Sequence, residues 1–113
     1  MPANRDAPRY ARERVAAFDA LTPPVIIDAQ LVISEMVTNA VVYADVPPDG
    51  TLDIELSIED EHLVIELDDH HGSAARATYA TPRRPTGVGL EILSLLCDQW
   101  DAYDGHVVAR IAQ

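Results

Sequence analysis

Residues 25–44 read VIIDAQLVISEMVTNAVVYA, and this stretch decides the fold. It is long enough for five helical turns and apolar around most of its circumference, which predicts a central buried helix. Its β-branched residues would also suit strands. Just before it, Thr22-Pro23-Pro24 breaks the chain. Proline suits the first turn of a helix, where its missing N–H has no helical partner, and Thr22 can serve near the cap. Further upstream, residues 7–20 alternate arginine and acid with Tyr10, Val15 and Phe18. That predicts an amphipathic helix with one buried stripe.

Downstream, residues 45–50 hold two prolines and a glycine and read as a loop. Residues 51–59, TLDIELSIE, alternate strictly. Leu52, Ile54, Leu56 and Ile58 share one face, and Asp53, Glu55, Ser57 and Glu59 the other, as in a half-buried strand. Polar residues 59–62 turn the chain into a second strand over residues 63–68. Residues 70–86 lack periodicity, and a loop of that length in so small a domain is usually functional or mobile. Gly87-Val-Gly-Leu then opens a helix with apolar Leu90, Ile92, Leu93 and Leu96. Strands over 100–103 and 106–111 follow, joined by Asp104-Gly105, a hairpin signal. The order predicts an α+β two-layer sandwich with helices on one face of a mostly antiparallel sheet. One domain over residues 1–113 is expected.

Charge excludes several functions. The net charge is −11 and the pI about 4.4; all eight basic residues are arginine, with none between Arg14 and Arg76. A phosphate-neutralising nucleic-acid binder needs a basic face, which this chain lacks. The Walker phosphate loop, Schiff-base enzymes and the usual protein-kinase fold need a lysine, so they are excluded too. The single cysteine, Cys97, allows no intrachain disulfide and suits a reducing compartment. No apolar run is expected to reach the roughly 18 residues of a membrane span, and the start lacks the apolar core of a signal peptide. A cytoplasmic location is the expectation.

Several residues could carry chemistry. Glu35 and Asn39 lie four apart on the central helix, on one face and one turn from each other. Asp28 is roughly in line with them, and Ser34 and Thr38 lie on an adjacent stripe. Polar groups on so apolar a helix are costly without partners. A glutamate there suits a general base, and an amide oxygen one turn away can coordinate a hard cation such as magnesium. A solvent-facing stripe would explain the same spacing. Asp69, after the second strand, could accept a hydrogen bond from an exocyclic amine, or simply cap the loop. His70 and His71 beside Asp68 and Asp69 raise a metal site, but adjacent side chains diverge and no further ligand pattern follows. Gly87 and Gly89 at a helix start leave backbone N–H groups for an anion, with Arg83 and Arg84 just before them. Tight turns and solubility account for these features equally well.

Taken in order, the Glu-x-x-x-Asn helix, strand-Asp, variable loop and Thr-Gly-x-Gly-Leu helix start resemble the Bergerat nucleotide-binding fold. Histidine kinases, gyrase and mismatch-repair ATPases share that fold. Ile33-Ser-Glu-Met-Val-Thr-Asn-Ala, Thr86-Gly-Val-Gly-Leu-Glu-Ile-Leu and Leu96-Cys-Asp-Gln-Trp are similar to bacterial anti-sigma-factor serine kinases. The resemblance covers about residues 7–112 and makes residues 70–86 a short lid.

That resemblance implies Glu35 as catalytic base, Asn39 as magnesium holder and Asp69 as the group that binds the adenine amine. It implies that Thr86, Gly87, Val88, Gly89 and Leu90 meet the nucleotide, the glycines at the phosphates and the lid's hinge. Arg83 and Arg84 become candidate phosphate contacts. ATP and Mg2+ are the implied cofactors. A sigma factor and an anti-anti-sigma protein phosphorylated on serine are the implied partners, and surface acidity suits a basic partner. A homodimer is a further expectation, with Trp100 and the first helix as contact surfaces. The chain departs from the family at His71, where a glycine or serine is usual, and at Val107, where a threonine is frequent. A partner-sequestering module with weak or degenerate nucleotide binding is the alternative.

Overall fold

The computed structural model describes residues 1–43, 50–70, 89–103 and 106–113. Its elements are α1 (Ala7–Ala16), α2 (Pro23–Thr38) with a π-helical continuation (Asn39–Tyr43), β1 (Asp53–Glu59), β2 (His62–Asp68), α3 (Gly89–Leu96), β3 (Gln99–Tyr103) and β4 (His106–Ala112). The strands form one antiparallel sheet in the order β1-β2-β4-β3. The three helices bury their apolar sides with one face of it, in a single core cluster. This is the expected α+β two-layer architecture.

The sheet follows from the period-2 pattern. Leu52 and Ile54 at β1, Leu63, Ile65 and Leu67 on β2, and Val107, Ala109 and Ile111 on β4 all point into the core. Ile58, at the far end of edge strand β1, is 39% exposed, so the apolar face outlasts the helices that cover it. The β1–β2 turn is tighter than the four polar residues suggested. Glu59 pairs with His62, and only Asp60 and Glu61 intervene, with φ of 50° and 62°. Two positive φ values are what the right-handed twist of a two-residue hairpin requires.

The central helix begins at Pro23, two residues before the expected start, with Thr22 extended at the cap position. The Thr22 hydroxyl makes no cap bond. Its N–H instead donates to Gln113 Oε1 at 3.1 Å. Pro23–Val41, with a mean hydropathy of 1.2, is long and apolar enough to cross a membrane by length and composition only, as a buried core helix can also be, which corrects the expectation that no run is long enough. In the fold this is the central helix. Val25, Ala29, Val32, Ile33, Met36 and Val37 are buried, while Ile27 and Leu31 face outward.

The first helix departs from expectation in two ways. It ends at Ala16, where Phe18 N–H bonds Val15 O and tightens the final turn. Its buried stripe is Ala7, Ala11 and Val15, not Tyr10, Val15 and Phe18. Tyr10 is 43% exposed beneath the Arg9 guanidinium, and Phe18 is only half-buried. Small residues at i, i+4 and i+8 let α1 lie close along α2, which a tyrosine in that row would prevent. Arg12 closes the seam by donating to Ser34 Oγ at 3.1 Å, and Gln30 Nε2 donates to Arg12 O at 3.2 Å.

Two expected loops, residues 45–50 up to Asp49 and residues 71–86, lie outside the described residues, as does the Asp104-Gly105 turn. The pairing of Tyr103 with His106 agrees with a hairpin at that place.

Candidate functional site

Backbone connections fix which end of the sheet each candidate occupies. Gln113 N–H bonds Glu61 O at the β1–β2 turn, and the Gln113 side chain holds Thr22. The central helix therefore starts at the turn end of the sheet. Its 16 residues rise about 24 Å, close to the length of a seven-residue strand. A helix of that length laid along the strands carries Asn39 to the end at which β2 finishes and Asp69 follows. At the opposite end Asp98 N–H bonds Arg110 O, so β3 starts there. The third helix, which packs on α2, runs into that start. Its first residue, Gly89, is directed back toward the Asn39 end.

Asn39 is the most telling residue there. It is 1% exposed, and neither its Oδ1 nor its Nδ2 has a hydrogen-bond partner among the described residues. Leaving a buried amide unsatisfied costs about 1–3 kcal/mol, and native folds rarely do so. The helix changes to π geometry from Asn39 onward, a local widening that recurs at functional sites. A neutral amide oxygen suits a hard cation and both amide ends suit a polar ligand, so the residue fits magnesium and phosphate chemistry. Glu35 sits one turn earlier and is half-buried, consistent with a group that reaches solvent from the same face.

Asp69 follows β2 directly and is fully buried, although it lies just past the strand's end. A solvated loop cap would be exposed; this carboxylate faces the interior, as a group reading a buried ligand edge must. The neighbouring acid, Asp68, turns to the other face of the sheet. There it stands directly opposite Asp53 in the β1–β2 register. His70 joins the two: its Nε2 lies 2.8 Å from Asp53 Oδ2, and its backbone N–H donates to Asp68 Oδ1 at 2.9 Å. His106 Nε2 lies 3.7 Å from Asp68 Oδ2. Sequence reading treated His70 only as a metal candidate and missed this link. The alternation puts Asp53, Glu55, Glu66 and Asp68 on the polar faces of their strands, but the strand register is what sets Asp53 against Asp68 and Glu55 against Glu66. Among the described residues no group of three or more His, Cys, Asp or Glu is gathered to hold a metal ion.

The remaining candidates divide as follows. Gly89 and Leu90 open α3, while Thr86, Gly87, Val88, Arg83, Arg84 and His71 lie outside the described residues. Ser34 is engaged by Arg12, and Asp28 and Thr38 are half-buried along the same helix. Val107 is fully buried on β4, paired with Leu67 two residues before Asp69. A cavity of about 650 Å³ lies at the opposite end of the sheet, lined by Ser94, Cys97, Trp100 and Arg110. It contains Trp100, the candidate contact residue, and none of the candidate nucleotide-site residues. The Cys97 thiol beside it is pushed up to about 12, by burial first and by the Asp98 charge second.

Compared with known families, residues 1–110 match the model of the histidine kinase-like ATPase domain. No curated protein matches the chain.

Proposed function

Because the chain belongs to the histidine kinase-like ATPase domain family, we propose that it binds Mg-ATP at the Asn39–Asp69 end and acts as a cytoplasmic anti-sigma switch with serine kinase activity. In this reading it phosphorylates a serine of an anti-anti-sigma protein and sequesters a sigma factor when that protein is absent. The buried Asn39 amide, left without a partner among the described residues, is the observation that carries nucleotide and metal binding.

Magnesium, when bound, neutralises phosphate charge, and Asn39 Oδ1 would hold it. Asp69 accepts a hydrogen bond from the adenine amine, and its burial keeps water from competing for that bond. In this reading the phosphates are assigned to the backbone N–H groups of Gly87 and Gly89 and to Arg83 and Arg84, which precede them in the sequence. Glu35 takes the proton of the incoming serine hydroxyl. Positioning and electrostatics thus supply most of the catalysis, as is general for phosphoryl transfer. With a net charge of −11, the protein suits a basic docking partner.

A second reading, a sequestering module with weak nucleotide binding, is favoured by Val107, an apolar and fully buried residue where relatives of this type often carry threonine. Calorimetric titration with Mg-ATP on the wild type and on Asp69→Asn separates the two. Binding that Asp69→Asn abolishes supports the first reading, and no binding by the wild type overturns it. Binding without phosphotransfer to any anti-anti-sigma partner leaves the second.

A further inference from the structure

We propose that His70 is a positioning residue for nucleotide recognition: it clamps the chain just past β2 so that Asp69 stays aimed at the adenine amine. The inference rests on the reading of Asp69 as the adenine-binding group.

The geometry is specific. His70 follows Asp69 directly and has φ of 60°, uncommon for a non-glycine residue and costly unless contacts hold it. The His70 N–H reaches Asp68 Oδ1 at 2.9 Å, its Nε2 reaches Asp53 Oδ2 at 2.8 Å, and its Nδ1 lies 3.6 Å from Asp68 Oδ2. Asp53 and Asp68 are directly paired across β1 and β2, an arrangement that is repulsive without a donor nearby. The imidazole lies against both. One side chain therefore bridges the two acids and fixes the backbone on which the next carboxylate is carried.

Alternation along the chain explains why this matters to Asp69. Asp68 points to the open face, where His70 engages it, and Asp69 points to the interior, where it is fully buried. Rotation of the Asp68–His70 backbone would turn Asp69 out of the interior, and the clamp opposes that rotation. His70 does not touch the nucleotide in this arrangement; it acts through Asp69.

The test measures, on the full chain, dissociation constants for Mg-ATP and for a purine nucleoside triphosphate lacking the 6-amino group. The proteins are the wild type, Asp69→Asn, His70→Ala, His70→Gln, Asp53→Asn and the His70→Ala/Asp69→Asn double variant, each with its thermal midpoint. His70→Ala is expected to weaken ATP about tenfold, roughly 1.4 kcal/mol, with little change for the deaminated analogue. His70→Gln, which keeps an N–H of similar reach, is expected to restore affinity to within about threefold. Asp53→Asn should reproduce part of the loss, and the double variant should be no weaker than Asp69→Asn. Equal weakening toward both nucleotides, or wild-type ATP affinity in His70→Ala, overturns the proposal. If Asp69→Asn itself binds ATP like the wild type, the adenine reading fails and the His70 role falls with it. If only Asp69→Asn loses binding, the His70 role alone falls.

Discussion

Asn39 donates its backbone N–H to the carbonyls of Glu35 and Met36, so the metal-holding candidate hangs by its main chain from the catalytic candidate. Its side chain stays buried beyond that bond with no partner among the described residues. Two groups that the proposed chemistry needs together are thus fixed one turn apart on one helix.

That arrangement predicts opposite responses to truncation with and without ligand. Asn39→Ala removes an unsatisfied buried amide, so unliganded stability should be unchanged or up to about 1 kcal/mol higher. Stabilisation by Mg-ATP, about 2.7 kcal/mol at a hundredfold excess over Kd, should vanish. Thermal unfolding with and without Mg-ATP checks both halves. A destabilised apoprotein that still gains from Mg-ATP would contradict the assignment.

Glu35→Gln keeps the shape and removes the base. Mg-ATP affinity should stay within about threefold, while phosphotransfer falls by about 10²–10⁴. Single-turnover measurement with a phosphorylatable partner separates these effects. Loss of binding in step with rate would make Glu35 a nucleotide contact instead.

The small-residue seam between the first two helices gives a stability test free of function. Ala11→Leu should destabilise by about 1–3 kcal/mol, because Ala11 is fully buried in the core cluster and added methyl groups overpack it. Tyr10→Ala, outside the row and 43% exposed, should change stability by no more than about 0.5 kcal/mol. Urea unfolding compares the pair.

Cys97 should resist alkylation. With its thiol at about 12, the thiolate fraction near pH 8 is lower than that of an ordinary cysteine thiol by about a thousandfold. Timed iodoacetamide labelling of the folded protein against glutathione measures this, and rates within about tenfold of glutathione would contradict it. The linkage has a definite sign. The folded value lies above the ordinary 9.0, so the unfolded chain deprotonates first. This group's contribution to stability is complete below about pH 9 and declines as pH rises toward 12.

Much of the fold was legible because the information is local. Strict alternation in TLDIELSIE gave the strand and its buried face, and the long apolar run gave the central helix. Where the signal is weak, the structure chose differently. Tyr10 looked like a core residue by hydropathy, but interhelical distance decides which row is buried, and three small residues allow the closer approach. The candidate site was legible as residue types in order: Glu35, Asn39, Asp69 and the glycine helix start.

What the sequence by itself determined is therefore the set of elements, their order and the polar residues that interrupt apolar surroundings. Each depends only on neighbours within a turn or a strand. The tertiary structure alone decided that Asn39 and Asp69 are both buried. It alone also set Asp53 against Asp68 and brought His70 to their carboxylates. These are contacts across many residues of chain, created by strand register and by the Gln113–Thr22 tie, and no local period encodes them.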